Sequence, residues 1–288
     1  IFGSFIFNRY RITQKQKGII ELKEIETQKQ KELLEHKNGE ILSSIEYAKR
    51  IQTAILPSSR IIKQYLDNTF ILYLPKDIVA GDFYWLEKIE DLIFLAVCDC
   101  TGHGVPGAMV SVVCNNALNR AIVEFGERET GKIFNKTREL ILENFTKSED
   151  DVKDGMDASL CSLDLKKNKM QWSGANNPLW IYRIASNSIE EIKGDKQPIG
   201  KTDMAMPFKS HEIELDKGDT VYLFSDGYAD QFGGEKLKKL TKARFRDLLL
   251  SIANEPMSEQ RNKLLDFHFK YKGKEEQVDD ICIIGVRI

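Results

Sequence analysis

Several chemistries are scarce or missing in this sequence. Four histidines (His36, His103, His211, His268) occur in 288 residues. None stands beside Ser225, and no Gly-x-Ser-x-Gly elbow or Walker loop is present, so catalysis by an activated side-chain nucleophile has little support. The five cysteines (Cys98, Cys100, Cys114, Cys161, Cys282) are an odd number without a Cys-x-x-Cys pair. That excludes a disulfide framework or a zinc ribbon and suggests buried thiols in a reducing compartment. Cys98 and Cys100 flank Asp99, whose charge would raise a thiol pKa, and strand alternation puts them on the opposite face, in the core. No run of about eighteen apolar residues exists, so no complete membrane span is present. Charge of one sign is also lacking: 42 basic against 44 acidic residues give a net charge of -2. No global field draws the chain to nucleic acid, and no nucleic-acid partner is expected. What is present is an ordinary globular composition, 42% hydrophobic and 30% charged, which excludes a disordered or fibrous chain.

The chain opens on apolar Ile1–Phe7, followed at once by Asn8-Arg9-Tyr10-Arg11. Residues 1–11 read either as the cytoplasmic end of a membrane helix or as a frayed chain end. Residues 12–56 contain no proline. Ile20, Leu34, Ile41, Ala48 and Ile55 fall at multiples of seven, with Ile45 near the other core position. This predicts a long linker helix that pairs with its own copy as a coiled coil, the alternative being a solvated single helix. Pro57 stops it, and residues 57–288 form the domain proper.

Strands are predicted at 70–74, 83–86, 92–98, 158–163, 169–173, 179–184, 220–224 and 281–288. Helices are predicted at 107–125, 132–145, 235–253 and 258–271. Strands, a helical pair, more strands, helices and a closing strand indicate α+β layering. Trp85, Trp172 and Trp180 read as core, and the basic run from Lys236 to Arg246 as a solvated helix face or a surface for an acidic or phosphorylated partner.

Acidic residues recur where predicted strands end or turn. Asp82 follows Ala80-Gly81; Asp99 closes the apolar run Leu92–Cys98; Asp157 follows Gly155-Met156. Asp226 follows Val221–Ser225, with Asp230 just beyond, and Asp279-Asp280 open the last strand. One such Asp is usually a turn or cap residue. Five sites at strand ends suggest a shared cation, because a desolvated carboxylate needs one or a donor to stay charged. Oxygen ligands suit Mg²⁺ or Mn²⁺ rather than zinc. Gly102-His103-Gly104-Val105-Pro106-Gly107 matches Gly-x-Gly-x-x-Gly formally. An intervening Asp-Cys-Thr and the lack of a second strand ending in an acid make it an accidental dinucleotide fingerprint.

The motifs Ala80-Gly81-Asp82, Asp99-Cys-Thr-Gly-His-Gly-Val-Pro-Gly-Ala, Gly155-Met-Asp157, Ser225-Asp226-Gly227 and Asp279-Asp280 occur in the order seen in SpoIIE/RsbU-like serine phosphatases. This is the bacterial branch of the metal-dependent, type 2C (PPM) protein phosphatases. The segment Ile45–Pro57 resembles the linker entering that domain in membrane-anchored sensor proteins, so the resemblance covers about 45–288. It implies an α-β-β-α fold, a β-sandwich flanked by helices with two Mn²⁺ or Mg²⁺ ions at one end. Asp99 resembles the carboxylate bridging both ions, with the Cys100 carbonyl on one of them. Asp226 and Asp279 resemble ligands of the other, and Asp82 an acid bound directly or through water. Asp157, Asp230 and Asp280 resemble accessory or supporting acids. His103 differs in spacing from the family's proposed general acid and takes no role by transfer.

By resemblance the substrate is a phosphorylated anti-anti-sigma-like regulator, hydrolysed by a metal-activated hydroxide. The domain is expected to be cytoplasmic, tethered to the inner membrane in the full-length protein and dimeric through residues 12–56. The alternatives are a two-metal nucleotide cyclase, for which purine- and ribose-contacting residues are not identifiable, and a catalytically inactive binding module.

Overall fold

The computed structural model describes residues 2–145 and 154–288; Ile1, part of the expected membrane-proximal stretch, lies outside them. The chain forms two compact units, Ile1–Ala48 and Lys49–Ile288. Helix α1 (Phe2–Ile55) runs continuously from the first unit into the second and includes the stretch read as a membrane boundary. Among the described residues no helix is long and apolar enough to cross a membrane. Ile20, Leu34 and Ile41 of the seven-residue repeat are exposed. The helix ends at Ile55 because Pro57 disfavours helical conformation in the residue before it and carries no N–H to continue the ladder.

The second unit has four layers. One sheet orders β1 (Thr69–Leu74), β13 (Ile281–Arg287), β10 (Thr220–Phe224), β6 (Leu179–Arg183) and β7 (Ser188–Ile192), all antiparallel. The other orders β2 (Phe83–Ile89), β3 (Leu92–Cys100), β4 (Gly155–Asp164), β5 (Lys169–Ala175) and β9 (His211–Glu214), with β8 (Ile199–Gly200) on β4. Helices α3 (Gly104–Val123) and α4 (Thr130–Phe145) cover the second sheet, and α6 (Lys242–Ile252) and α7 (Met257–Lys272) the first. The short elements are α2 (Ser59–Tyr65), α5 (Gly227–Asp230) and a hairpin of β11 (Phe232–Gly233) and β12 (Lys238–Lys239).

Strand alternation sorts side chains into three cores. Leu95, Val97, Cys161, Leu223, Cys282 and Ile284 fill the space between the sheets. Phe94, Ala96, Cys98 and Cys100 face α3 and α4, as expected for the two thiols. Phe70, Leu72, Trp180 and Phe224 face α6 and α7. This is the predicted α-β-β-α sandwich. Strands β3 and β13 are buried on both faces, which is why they read as unbroken apolar runs.

The predicted helix 235–253 is wrong over its first third. Residues 232–239 form the β11–β12 hairpin, and α6 begins only at Lys242. Gly234, Leu237 and Thr241 have positive φ, which a helix does not tolerate. The basic run is thus divided between a hairpin and a helix. Strands β7 and β9 were not foreseen, because each is short, largely charged and peripheral.

Candidate metal centre

At one end of the sandwich the side-chain rows of the inter-sheet core continue as carboxylates. Asp99 lies two residues beyond Val97 on β3, and Asp157 two residues before Ser159 on β4. Asp82 precedes Tyr84 of β2 by two, and Asp280 precedes Cys282 of β13 by two. Period two therefore turns all four toward the gap between the sheets. Asp99 and Asp157 are direct cross-strand partners. Asp226, after β10, and Asp279, before β13, come from adjacent strands of the other sheet.

Asp99, Asp157, Asp226 and Asp279 line one cavity of about 310 Å³, together with Cys100 and His103. Asp82 lies beside it, 2% exposed, and its Oδ2 has no hydrogen-bond partner. Burial pushes the Asp82 carboxyl well above the usual carboxylate range, helped by the Asp99 charge and opposed by a hydrogen bond with Ser225. Asp99 is raised by burial and then by the charges of Asp226, Asp279 and Asp157, against a hydrogen bond with Asp82. Asp226 is raised by burial, Asp230 and Asp279, with Lys242 and Lys239 opposing. Asp157 is raised by burial; Asn176 Nδ2, which donates to its Oδ1 at 2.8 Å, and Lys242 act the other way.

The two remaining acids do not line the cavity. Asp280 accepts from the Lys76 N–H at Oδ1 and the Gly81 N–H at Oδ2, both at 2.7 Å, and so pins the loop that carries Asp82. Asp230 pairs with Lys239 at 2.7 Å. Gly81 is required here, since a Cβ at that position would overlap the Gly102 carbonyl oxygen. The chain bends at Thr101–His103 into α3, which begins at Gly104, with Gly102 and Gly104 at positive φ.

Four neighbours of the site carry little sequence signal. His103 shares Nδ1 with Asp77 Oδ2 at 2.9 Å and Nε2 with Lys76 Nζ at 3.0 Å. Gln52, near the end of α1, is 5% exposed; its Nε2 donates to the Ala80 carbonyl at 2.6 Å and to Ser111 Oγ at 2.9 Å. Its Oε1 accepts from the Ala80 N–H at 3.1 Å. Tyr73 donates to the Asp82 carbonyl at 3.0 Å. The loop bearing Asp82 is thus held from the helix, strand and Asp280 sides at once. Ser225 is buried, and its Oγ accepts from the Cys282 N–H at 2.9 Å, which leaves it no role as a nucleophile.

The donor set fits a hard divalent cation: four carboxylates line the cavity, and beside it one buried carboxylate oxygen has no hydrogen-bond partner. Among the described residues, no three His, Cys, Asp or Glu side chains already surround a single cation position. The fold gathers four of the acids at one cavity, with Asp82 buried beside it.

The profile of the family described as Stage II sporulation protein E (SpoIIE) matches residues 90–288. Phosphoserine phosphatase RsbU of Bacillus subtilis (strain 168) is 25% identical over 198 residues, 66% of this chain and 55% of that protein. The chain therefore spans about half the length of this curated relative. The SiaA-PP2C domain of Pseudomonas aeruginosa superposes with a TM-score of 0.79 at 33% identity, covering 87% of this chain and 98% of that one. The PP2C phosphatase domain with a regulatory fragment of SpoIIE from Bacillus subtilis superposes at a TM-score of 0.62 and 16% identity, over 77% and 63% of the two chains, and shows the fold. With a family profile covering more than half its length and a PP2C-type sandwich around the acid cluster, the chain belongs to the SpoIIE family.

Proposed function

We propose that this domain is a metal-dependent protein serine/threonine phosphatase acting in bacterial signal transduction. The observation that carries the reading is the meeting of Asp99, Asp157, Asp226 and Asp279 in one cavity, with Asp82 buried beside it. In this reading Asp99, the Cys100 carbonyl, Asp226 and Asp279 would hold two Mn²⁺ or Mg²⁺ ions. Asp82 binds directly or through water; Asp157, Asp230 and Asp280 are supporting acids. Such ions supply Lewis acidity, giving a more acidic water and charge neutralisation at the phosphoryl group.

The chain's own residues do the rest. The carboxylates fix the cation positions, and Asp280 and Gln52 hold the loop that presents Asp82. His103 lines the cavity and Lys76 Nζ lies 3.0 Å from its Nε2, so this ammonium adds positive charge beside the site where an incoming phosphate would arrive. No covalent phosphoenzyme is required, in keeping with the burial of Ser225. The substrate we infer is phosphoserine or phosphothreonine on a small regulator of the anti-anti-sigma type. Residues 12–56 pair with their copy in a homodimer, and residues 1–11 adjoin a membrane anchor in the full-length protein.

The direct test is hydrolysis of p-nitrophenyl phosphate with Mn²⁺, with EDTA, and by Asp99→Asn. Turnover should require Mn²⁺, vanish with EDTA and fall by about 100-fold or more in the variant, since even residues behind a metal ligand cost 10- to 100-fold. Turnover that persists in EDTA or in Asp99→Asn would overturn the metal reading.

A further inference from the structure

A second cavity, of about 410 Å³, is lined by residues of α2, the edge strand β1, Tyr84 of β2 and the start of α7. Its volume is in the range of sites for small organic molecules. Ile62, Phe70 and Ile71 supply apolar wall, and Lys63, Arg261 and Ser258 supply cations and a hydroxyl. Arg261 spends Nε on the Ile71 carbonyl at 3.0 Å, which fixes the guanidinium against the strand edge. Among the described residues neither Lys63 nor Arg261 is paired with a carboxylate, in a chain with more acids than bases. Two unpaired cations beside an apolar wall call for an anion with an apolar body.

The same cavity is walled by Tyr73 and Tyr84. Their rings meet edge-on at 5.5 Å; Tyr73 Oη donates to the Asp82 carbonyl, and Tyr84 Oη donates to the Pro57 carbonyl at 3.3 Å. A molecule seated here touches the ring whose hydroxyl holds Asp82.

We propose that this cavity binds a small organic anion and that its occupancy is coupled through Tyr73 to cation binding at the acid cluster, each tightening the other. The coupling rests on the reading of Asp82 as a metal-binding acid. The anionic head sits between Lys63 and Arg261, and the apolar body lies along Ile62 and Ile71 toward the Tyr73 ring. Ordering that ring favours the arrangement in which Asp82 is held. By linkage, a cation that uses Asp82 favours the anion by the same factor.

The test uses naphthalene-2-sulfonate, an apolar anion that a phosphatase cannot hydrolyse, titrated calorimetrically into the full chain with and without Mn²⁺. One sulfonate should bind per chain. Lys63→Gln, at an exposed position that does not endanger folding, and Arg261→Gln should each weaken it by about tenfold. Saturating Mn²⁺ should tighten it by about fivefold or more. Tyr73→Phe should retain sulfonate binding and lose the Mn²⁺ effect. Absence of binding or binding indifferent to Lys63→Gln would overturn the proposed site, and binding unchanged or weakened by Mn²⁺ would overturn its coupling to the acid cluster. A titration with Mn²⁺ alone separates the two readings. If Mn²⁺ binds and sulfonate affinity does not respond, only the coupling fails; if Mn²⁺ does not bind, the metal reading fails and takes the coupling with it.

Discussion

Asp82 and Asp280 show how two acids that look alike in sequence take different work. Asp82 immediately precedes β2 and Asp280 immediately precedes β13, and both point into the gap between the sheets. Asp280 has a backbone N–H on each oxygen, whereas Asp82 Oδ2 has no donor. The first arrangement stabilises a charged carboxylate and the second leaves it in need of a cation. The acids themselves were legible, because a carboxylate at the end of a buried strand is conspicuous among apolar residues. Which oxygen meets which N–H was not, because the partners lie about 200 residues away, |i−j| being 204 and 199. Gln52 was equally silent, one of many polar residues on a long charged helix. Its three hydrogen bonds to Ala80 and Ser111 are buried, so Gln52→Leu would strand the main-chain groups of Ala80. The variant should lose about 1–3 kcal/mol in urea unfolding and bind Mn²⁺ more weakly by calorimetry. Unchanged values on both measurements would show that the Asp82 loop does not depend on the helix end.

The elements were read well where their pattern is strong and poorly where it is local and charged. Strands β3 and β13, buried on both faces, and helices α3, α4 and α7 fall close to their expected positions. The β11–β12 hairpin overlaps the first residues of the predicted helix 235–253, an expectation that starts directly after the Gly233-Gly234 turn signal. In the fold the glycines win: Gly234 takes a positive φ, and the turn folds back toward Asp230 through Lys239. Helix α1 is the reverse case, long and regular but with its apolar repeat exposed at Ile20, Leu34 and Ile41. In the homodimer proposed above, a second copy would cover this seam. Ile41→Glu combined with Ile45→Glu should therefore convert a dimer to a monomer in light scattering. A dimer mass that survives both substitutions would place the contact elsewhere.

For the molecule as a whole, burial sets both the chemistry and the response to pH. His268 lies in the core formed with α6 and α7, 2% exposed, against the Tyr228 ring at 5.7 Å. Burial lowers its pKa from 6.5 to about 4, aided by the Lys272 charge. The folded state thus holds the ring neutral, while the unfolded chain takes up a proton below about pH 6.5. The sign follows: its contribution is complete above that pH and declines as pH falls toward 4. Urea midpoints should drop between pH 7 and pH 5, and the drop should be smaller in His268→Gln. Equal slopes in the two proteins would exclude this histidine as the source. Sequence alone determined the α+β class, the strand-end acids, the scarcity of nucleophilic machinery and the stop at Pro57. Each of these is a matter of local composition, periodicity or backbone chemistry. Only the tertiary structure decided that acids from four segments share one cavity with Asp82 buried beside it, that Asp280 and Gln52 brace the loop carrying Asp82, and that Lys63 and Arg261 line a second cavity. Those facts depend on which strand ends the sandwich brings together, and contacts between residues hundreds of positions apart leave no periodic trace along the chain.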